Sequence, residues 1–423
     1  MTAFLREALQ DFVIEGEKSP PPVFIGRQDI LGDIFSQAEL SGRKGIASPG
    51  NTRIIQGAPG AGKSSILSEL TAQNLHADFP KTLQVSSIEV CDEFPDVLKA
   101  IGALGASPKS KLETMAETTA RALGGLAMLD VLGSASLSLN LSALFQSSDI
   151  RTIGSLHKVV PASQWDSPVI VAIDEAQNLP AGHDSVPARF LRAIHEATTK
   201  LPITLVLAGL GDTQSHIRSL GLTHGIQAHS LQGFTKEECA ELMNGFCDYF
   251  GIRVGDCDRQ LCALSHAADG WPRHMHWAQQ AVAEAVLEPG IDGNLDRIGD
   301  WTKVQARSDV LRQGYYNSQF SDEMTFARKL VAQLMLEVGK AQIEGQILQE
   351  DEIRNRVRIF IEQDLSGNYE LPDGFSPQGF VKHLIHCGAL QEDPHNHGMS
   401  CPIPSFQSYI IRRGGLDPRQ LSG

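Results

Sequence analysis

Residues 57–65 read "GAPGAGKSS". Gly57, Ala58, Pro59, Gly60, Ala61, Gly62, Lys63 and Ser64 match the spacing G-x-x-x-x-G-K-[ST] at every fixed position, and Ser65 continues the segment. Glycines at these points let successive backbone N–H groups turn inward around phosphate oxygens. A helix starting near Lys63 would add its positive N-terminal end. Lys63 would then reach the β- and γ-phosphates of a nucleotide, and the Ser64 hydroxyl would bind Mg²⁺. The alternative is a chance glycine-rich turn, but an apolar run precedes this stretch and a helical pattern follows it.

A second group of residues fits the same chemistry. "PVIVAIDEAQNLP" (168–180) is an apolar, β-branched run ending in Asp174 and Glu175. Asp174 would hold Mg²⁺ through water, and Glu175 would polarise the attacking water as general base. Both would lie beside the glycine loop if the two strands are neighbours. An acidic strand end facing solvent is the alternative. "GWPR" (270–273) forms a turn before a helix and aims Arg273 in a fixed direction, where it could reach a γ-phosphate. Otherwise Arg273 is an ordinary surface arginine. After "TLVLAG", Asp212 and Thr213 are candidates to orient the water. His383, His386, His395 and His397, with Cys387 and Cys401, invite a zinc reading, but their spacing matches no closed tetrahedral pattern.

Regular elements must position these groups. "TRIIQ" (52–56) reads as a buried strand, "KSSILSELTAQNLHADF" as a helix and "TLQVSSIEV" (82–90) as another strand. Helix "ARFLRAIHEATTK" and strand "PITLVLAGLGDT" continue an alternation that implies a parallel α/β sheet. Residues 105–160 interrupt it. Within them, residues 122–145 are long and apolar enough to raise a membrane span, but Asp130 and repeated small polar residues favour an insertion in the nucleotide domain. From Thr235 to about residue 300 the pattern is helical. Near the C-terminus Ser376 can cap a helix with Pro377 at its first position. A strand, a polar turn at Pro394–Gly398 and a second strand follow, the ending of a winged-helix domain. The expected domains are a tail and linker (1–22), an α/β core (23–234, with the insertion at about 105–160), a helical lid (235–300), and a helical linker with winged helix (301–423).

Bulk properties narrow the partners. The chain of 423 residues carries a formal net charge of −14. Residues 301–423 hold 13 Lys+Arg and 15 Asp+Glu, so their net is 13 − 15 = −2. An acidic chain is a poor general coat for nucleic acid, and the nearly neutral C-terminal third is the better place for such a contact. The seven cysteines form no CxxC pair, and the acidic, amphipathic N-terminus does not read as a secretory signal. A cytoplasmic protein with no membrane partner is the expectation.

Together these residues resemble an AAA+ P-loop ATPase of the origin-recognition-like branch, with STAND signalling ATPases as near relatives. The order "FIGR" (24–27), phosphate loop, "IDEAQ" (173–177), "LAGLGD" (207–212) and "GWPR" carries the resemblance over roughly residues 20–300. "DEAQ" is also similar to ATPases that assist DNA transposition, and "IPSFQSYII" resembles the C-terminal end of bacterial members. The resemblance implies that Phe24, Ile25, Gly26 and Arg27 line the adenine pocket. It also implies that Arg273 is the lid's sensor arginine. Members often carry a trans-acting arginine where this chain has His224, with Arg218 six residues earlier. The implied activity is Mg²⁺-dependent ATP hydrolysis by a nucleotide-controlled switch, with Lys63, Glu175 and Arg273 in the reaction. Self-association, DNA and a protein partner stay open. A DNA-binding initiator or transposition helper is one rival reading. A non-hydrolysing scaffold is the other, and Glu175 argues against it.

Overall fold

The computed structural model describes residues 3–16, 21–42, 52–75, 80–92, 97, 101, 104, 168–180, 182, 185–199, 201–319, 327–363 and 374–421. The expected insertion at 105–160 lies outside them. The chain divides into two compact units: residues 27–56 with 66–229, and residues 1–26 with 57–65 and 230–423. Among the described residues no helix is long and apolar enough to cross a membrane.

The first unit is built on a sheet of β1 (Thr52–Gln56), β2 (Lys81–Ser86), β3 (Val169–Asp174), β4 (Ile203–Gly209) and β5 (Ile226–Ser230), in the order β2-β3-β4-β1-β5. The pairs β2–β3, β3–β4 and β4–β1 are parallel. Every residue of β1 and β4 is buried, as expected for strands covered on both faces. Helix Val186–Ala197 starts where the Ser185 hydroxyl accepts the Ala188 N–H at 3.2 Å. Its Phe190, Leu191 and Ile194 recur at helical spacing and pack with Val171, Ile173, Leu205 and Leu207. Truncating a fully buried phenylalanine such as Phe190 to alanine costs about 3–5 kcal/mol.

One expectation needs correction, and one condition is not met. The strand expected over 82–90 ends at Ser86, and Ser87–Asp92 is helical. Buried Ser87 and Val90 are three residues apart, a helical spacing too short to stand out in the sequence. Nor are β1 and β3 neighbours, because β4 lies between them. The register still aligns their ends: Ile173 pairs with Leu207, which pairs with Ile54. Asp174 stands one residue past that row and Gln56 two past it, on the same edge of the sheet.

The second unit is mainly helical. Helix Lys236–Phe250 begins with a full capping box, Thr235 accepting from the Glu238 N–H and Glu238 accepting from the Thr235 N–H. It packs with helices Arg6–Glu15, Asp258–Ala267 and Pro272–Leu287 around Leu9, Phe12, Phe246, Phe250, Met275 and Val282. Helix Trp301–Gln319 runs beside Pro272–Leu287 and ends in buried Tyr315 and Tyr316. The last part runs helix Arg328–Ile343, β6 (Leu348–Gln349), helix Glu350–Glu362, helix Pro377–His386, β7 (Gln391–Glu392), β8 (Gly398–Ser400) and helix Pro404–Arg413. Its three strands pair antiparallel in the order β6-β8-β7. The Ser376 hydroxyl accepts the Gly379 N–H at 2.9 Å, with Pro377 in the first turn, as the cap pattern predicts.

Candidate functional site

The glycine loop leaves β1 at Gln56 and enters helix Lys63–Ala72. Gly60 and Gly62 have φ of +79° and +92°, a region that L side chains rarely adopt. The Ala61 N–H donates to the Ala58 carbonyl at 3.2 Å and closes the turn. Lys63 is buried at 7% exposure, and its Nζ donates to the carbonyls of Gly57 (2.8 Å) and Ala58 (3.2 Å). The ammonium is thus folded over the loop at the helix start, where an anion gains from both the lysine and the helix's positive N-terminal end. Ser64 is exposed and Ser65 half-buried on the first turn. This cradle and its donor set suit a polyphosphate, and Ser64 could supply an oxygen ligand to an accompanying Mg²⁺.

The expected arginine reaches this loop. The Arg273 N–H donates to the Gly60 carbonyl at 3.2 Å. A Cβ on Gly60 would fall 2.8 Å from the Arg273 Cβ and 3.1 Å from its Cδ, so only a glycine lets the arginine stem pass. The Trp271 indole N–H donates to the Pro59 carbonyl at 3.2 Å.

Two further supports come from residues that carry no local signal. Tyr315 Oη donates to the same Pro59 carbonyl at 3.1 Å. Gln391, 1% exposed on β7, accepts the Ala58 N–H at 2.9 Å through Oε1. Its Nε2 donates to Ser230 Oγ at 2.6 Å and to the Leu231 carbonyl at 3.4 Å. Gly388, at φ +80°, closes against the loop, for a Cβ there would lie 2.7 Å from the Pro59 Cδ. Of the expected adenine-pocket residues, Ile25 and Gly26 also belong to this unit. Ile25 joins its helical core, and Gly26, at φ +75°, sits where a Cβ would meet Glu238 Oε1 at 2.6 Å. Arg27 belongs to the other unit, and its N–H donates to Gln28 Oε1 at 3.0 Å.

In the sheet unit the acidic pair ends β3. The Glu175 N–H donates to Asp174 Oδ1 at 2.9 Å. Glu175 itself is left-handed, with φ 53° and ψ 39°, a conformation that costs a non-glycine residue of order 1–3 kcal/mol. Its carboxylate accepts from Gln177 Nε2. The Gln177 Oε1 accepts the Leu210 N–H at 3.1 Å, and Thr213 Oγ1 donates to the Leu210 carbonyl at 2.7 Å. Gln177 therefore ties the acid to the end of β4. Gly209 must lack a side chain, since a Cβ would lie 2.3 Å from Thr213 Oγ1 and 2.4 Å from Gln177 Oε1. Asp212 precedes helix Thr213–Ser219, whose Gln214 N–H donates to Gln56 Oε1 at 3.1 Å, joining it to the last residue of β1. Arg218 and His224 are both exposed.

The histidine and cysteine candidates do not gather. Among the described residues no three His, Cys, Asp or Glu side chains group as metal ligands. His397 pairs with Glu392 across the hairpin at 2.6 Å. Burial pushes the thiols of Cys387 and Cys401 up to about 11 and 12, so both stay protonated near neutrality.

No protein-family model and no curated protein matches the chain. Among solved structures it is similar to a Walker-type ATPase of Pyrococcus abyssi, at 15% identity over 92% of this chain and 96% of that one, with a TM-score of 0.49. It is also similar to Cdc6p of Pyrobaculum aerophilum, at 13% identity over 96% and 98%, with a TM-score of 0.38. A third similar structure is the Orc1 protein of Aeropyrum pernix, solved in complex with DNA, at 15% identity over 95% of each chain, with a TM-score of 0.38.

Proposed function

We propose that this chain is an ATP-binding and ATP-hydrolysing switch. The observation that carries the reading is the glycine loop: two left-handed glycines, a buried lysine at a helix start, and an arginine crossing at Gly60. Lys63 and the loop N–H groups bind the β- and γ-phosphates, and Arg273 meets the γ-phosphate. Ile25, Gly26 and Arg27 line the base pocket. Ser64 and Asp174 would hold Mg²⁺, which neutralises charge on the phosphates when bound. Glu175 orients the attacking water and takes its proton, so the γ-phosphoryl group leaves ADP by in-line displacement. Glu175→Gln tests this directly: Mg-ATP affinity should change little while steady-state phosphate release falls at least a hundredfold. Unchanged release in the variant would refute Glu175 as the base.

The order helix, strand, helix, helix, hairpin over 328–400 supports a winged helix as the output end of the switch. Its helix Pro377–His386 presents Lys382 as its permanent cation, beside two histidines, and few cations suit a protein partner better than a DNA phosphate backbone. Phosphate release measured with and without long duplex DNA at low salt separates the two. A several-fold rise on adding DNA would overturn the protein-partner reading in favour of an initiator or transposition-helper role.

A further inference from the structure

Arg273 does not stand alone at the loop. Its guanidinium lies over the ring of Tyr315, with Cζ 4.9 Å from the centroid. The same tyrosine's hydroxyl donates to Pro59, and its ring leans on Trp277 at 5.3 Å between centroids. Trp277 belongs to the helix that Arg273 opens. Tyr315 is buried at 7% exposure near the end of a different helix. One side chain therefore touches both the loop and the arginine that crosses it. Stacking engages the flat face of a guanidinium, while its N–H donors point outward in the plane, where a phosphate is recognised.

We propose that Tyr315 is a positioning residue that aims Arg273 at the γ-phosphate, so that it sets the preference for ATP over ADP. The proposal rests on the reading of Arg273 as the γ-phosphate contact. The aromatic face restricts the long arginine side chain to one direction before nucleotide arrives. The hydroxyl keeps Pro59, and with it the loop, in register with that direction. Removing the ring frees the arginine and lowers affinity for ATP, whose third phosphate it meets, but leaves ADP largely unaffected.

The test is equilibrium binding of mant-ATP and mant-ADP, with Mg²⁺, to the full-length protein and four variants. Arg273→Ala should collapse the ATP/ADP affinity ratio. Tyr315→Leu should lower that ratio roughly 3- to 30-fold with ADP affinity held within about twofold. Tyr315→Phe keeps the ring and should retain most of the ratio. The double variant Arg273→Ala/Tyr315→Leu should be no worse than Arg273→Ala alone, a non-additivity that a merely structural tyrosine would not show. If thermal melting shows the leucine variant unfolded, Tyr315→Met fills similar volume without a π face and takes its place. A normal ratio in Tyr315→Leu, with a collapsed one in Arg273→Ala, overturns the proposal and leaves the reading of Arg273 intact. A normal ratio in Arg273→Ala overturns both.

Discussion

Replacing Gln391 with leucine should expose how much the glycine loop depends on the C-terminal hairpin. The substitution nearly preserves volume, so it opens no cavity of consequence. It removes the acceptor that meets the buried Ala58 N–H at 2.9 Å. Of the other partners, Ser230 is half-buried and can turn to water, and the Leu231 contact is long at 3.4 Å. The loss therefore reduces to one orphaned buried donor, about 1–3 kcal/mol. At about 1.4 kcal/mol per factor of ten, the Ala58 amide should exchange with solvent deuterium roughly 5- to 150-fold faster. Residue-resolved hydrogen exchange on parent and variant reads this directly, and peptides from β4 should stay unchanged. An Ala58 rate within about twofold of the parent would refute the claim that Gln391 holds the loop.

Other perturbations act on different contacts. Gly60→Ala combines a left-handed backbone with a clash against the Arg273 stem and should destabilise by about 2–5 kcal/mol, read by urea unfolding, with loss of Mg-ATP binding. Gln177→Leu unties Glu175 from the end of β4; phosphate release should fall roughly ten- to a hundredfold with ATP affinity kept, as single-turnover kinetics would show. His274 is fully enclosed, with burial first and the Arg312 charge second pushing its imidazole down to about 3 from 6.5. Between those values the unfolded chain binds the extra proton, so stability is full above about pH 6.5 and is lost as pH falls toward 3, on the order of 3 kcal/mol by about pH 4.5. Melting curves of parent and His274→Gln across that range should differ in slope, and parallel curves would rule the histidine out.

The sheet unit was largely legible in the sequence because its information is local. The apolar runs at β1, β3 and β4 and the Asp174-Glu175 pair each occupy a few consecutive residues, as does the glycine spacing of the other unit. Ser87–Val90 follows the apolar start of β2 without a break signal, and so short a mixed stretch fits a strand or a helix turn equally well. The sequence leaves the adjacency of β1 and β3 as a condition, because strand order is set by where connecting helices cross, which no single segment records. Gln177 stood in plain view within "DEAQ", but its link to Leu210 depends on β3 and β4 being paired. Tyr315 and Gln391 were out of reach: they meet the loop from 256 and 333 residues downstream, with polar atoms that no periodicity marks.

That separation has a consequence for the newly made chain. The residues of the sheet unit all precede Ser230, so that unit can fold while the rest is still being translated. The loop cannot acquire its outer supports so early. At about 5–20 residues per second, roughly 17–70 s pass between the emergence of Ala58 and that of Gln391, 333 residues later. Until then the loop's Ala58 amide lacks its Gln391 partner, whereas the Pro59 carbonyl can already meet Trp271 and Tyr315. A chain stalled before residue 391 therefore carries the whole glycine motif without the hairpin's hydrogen bond to it.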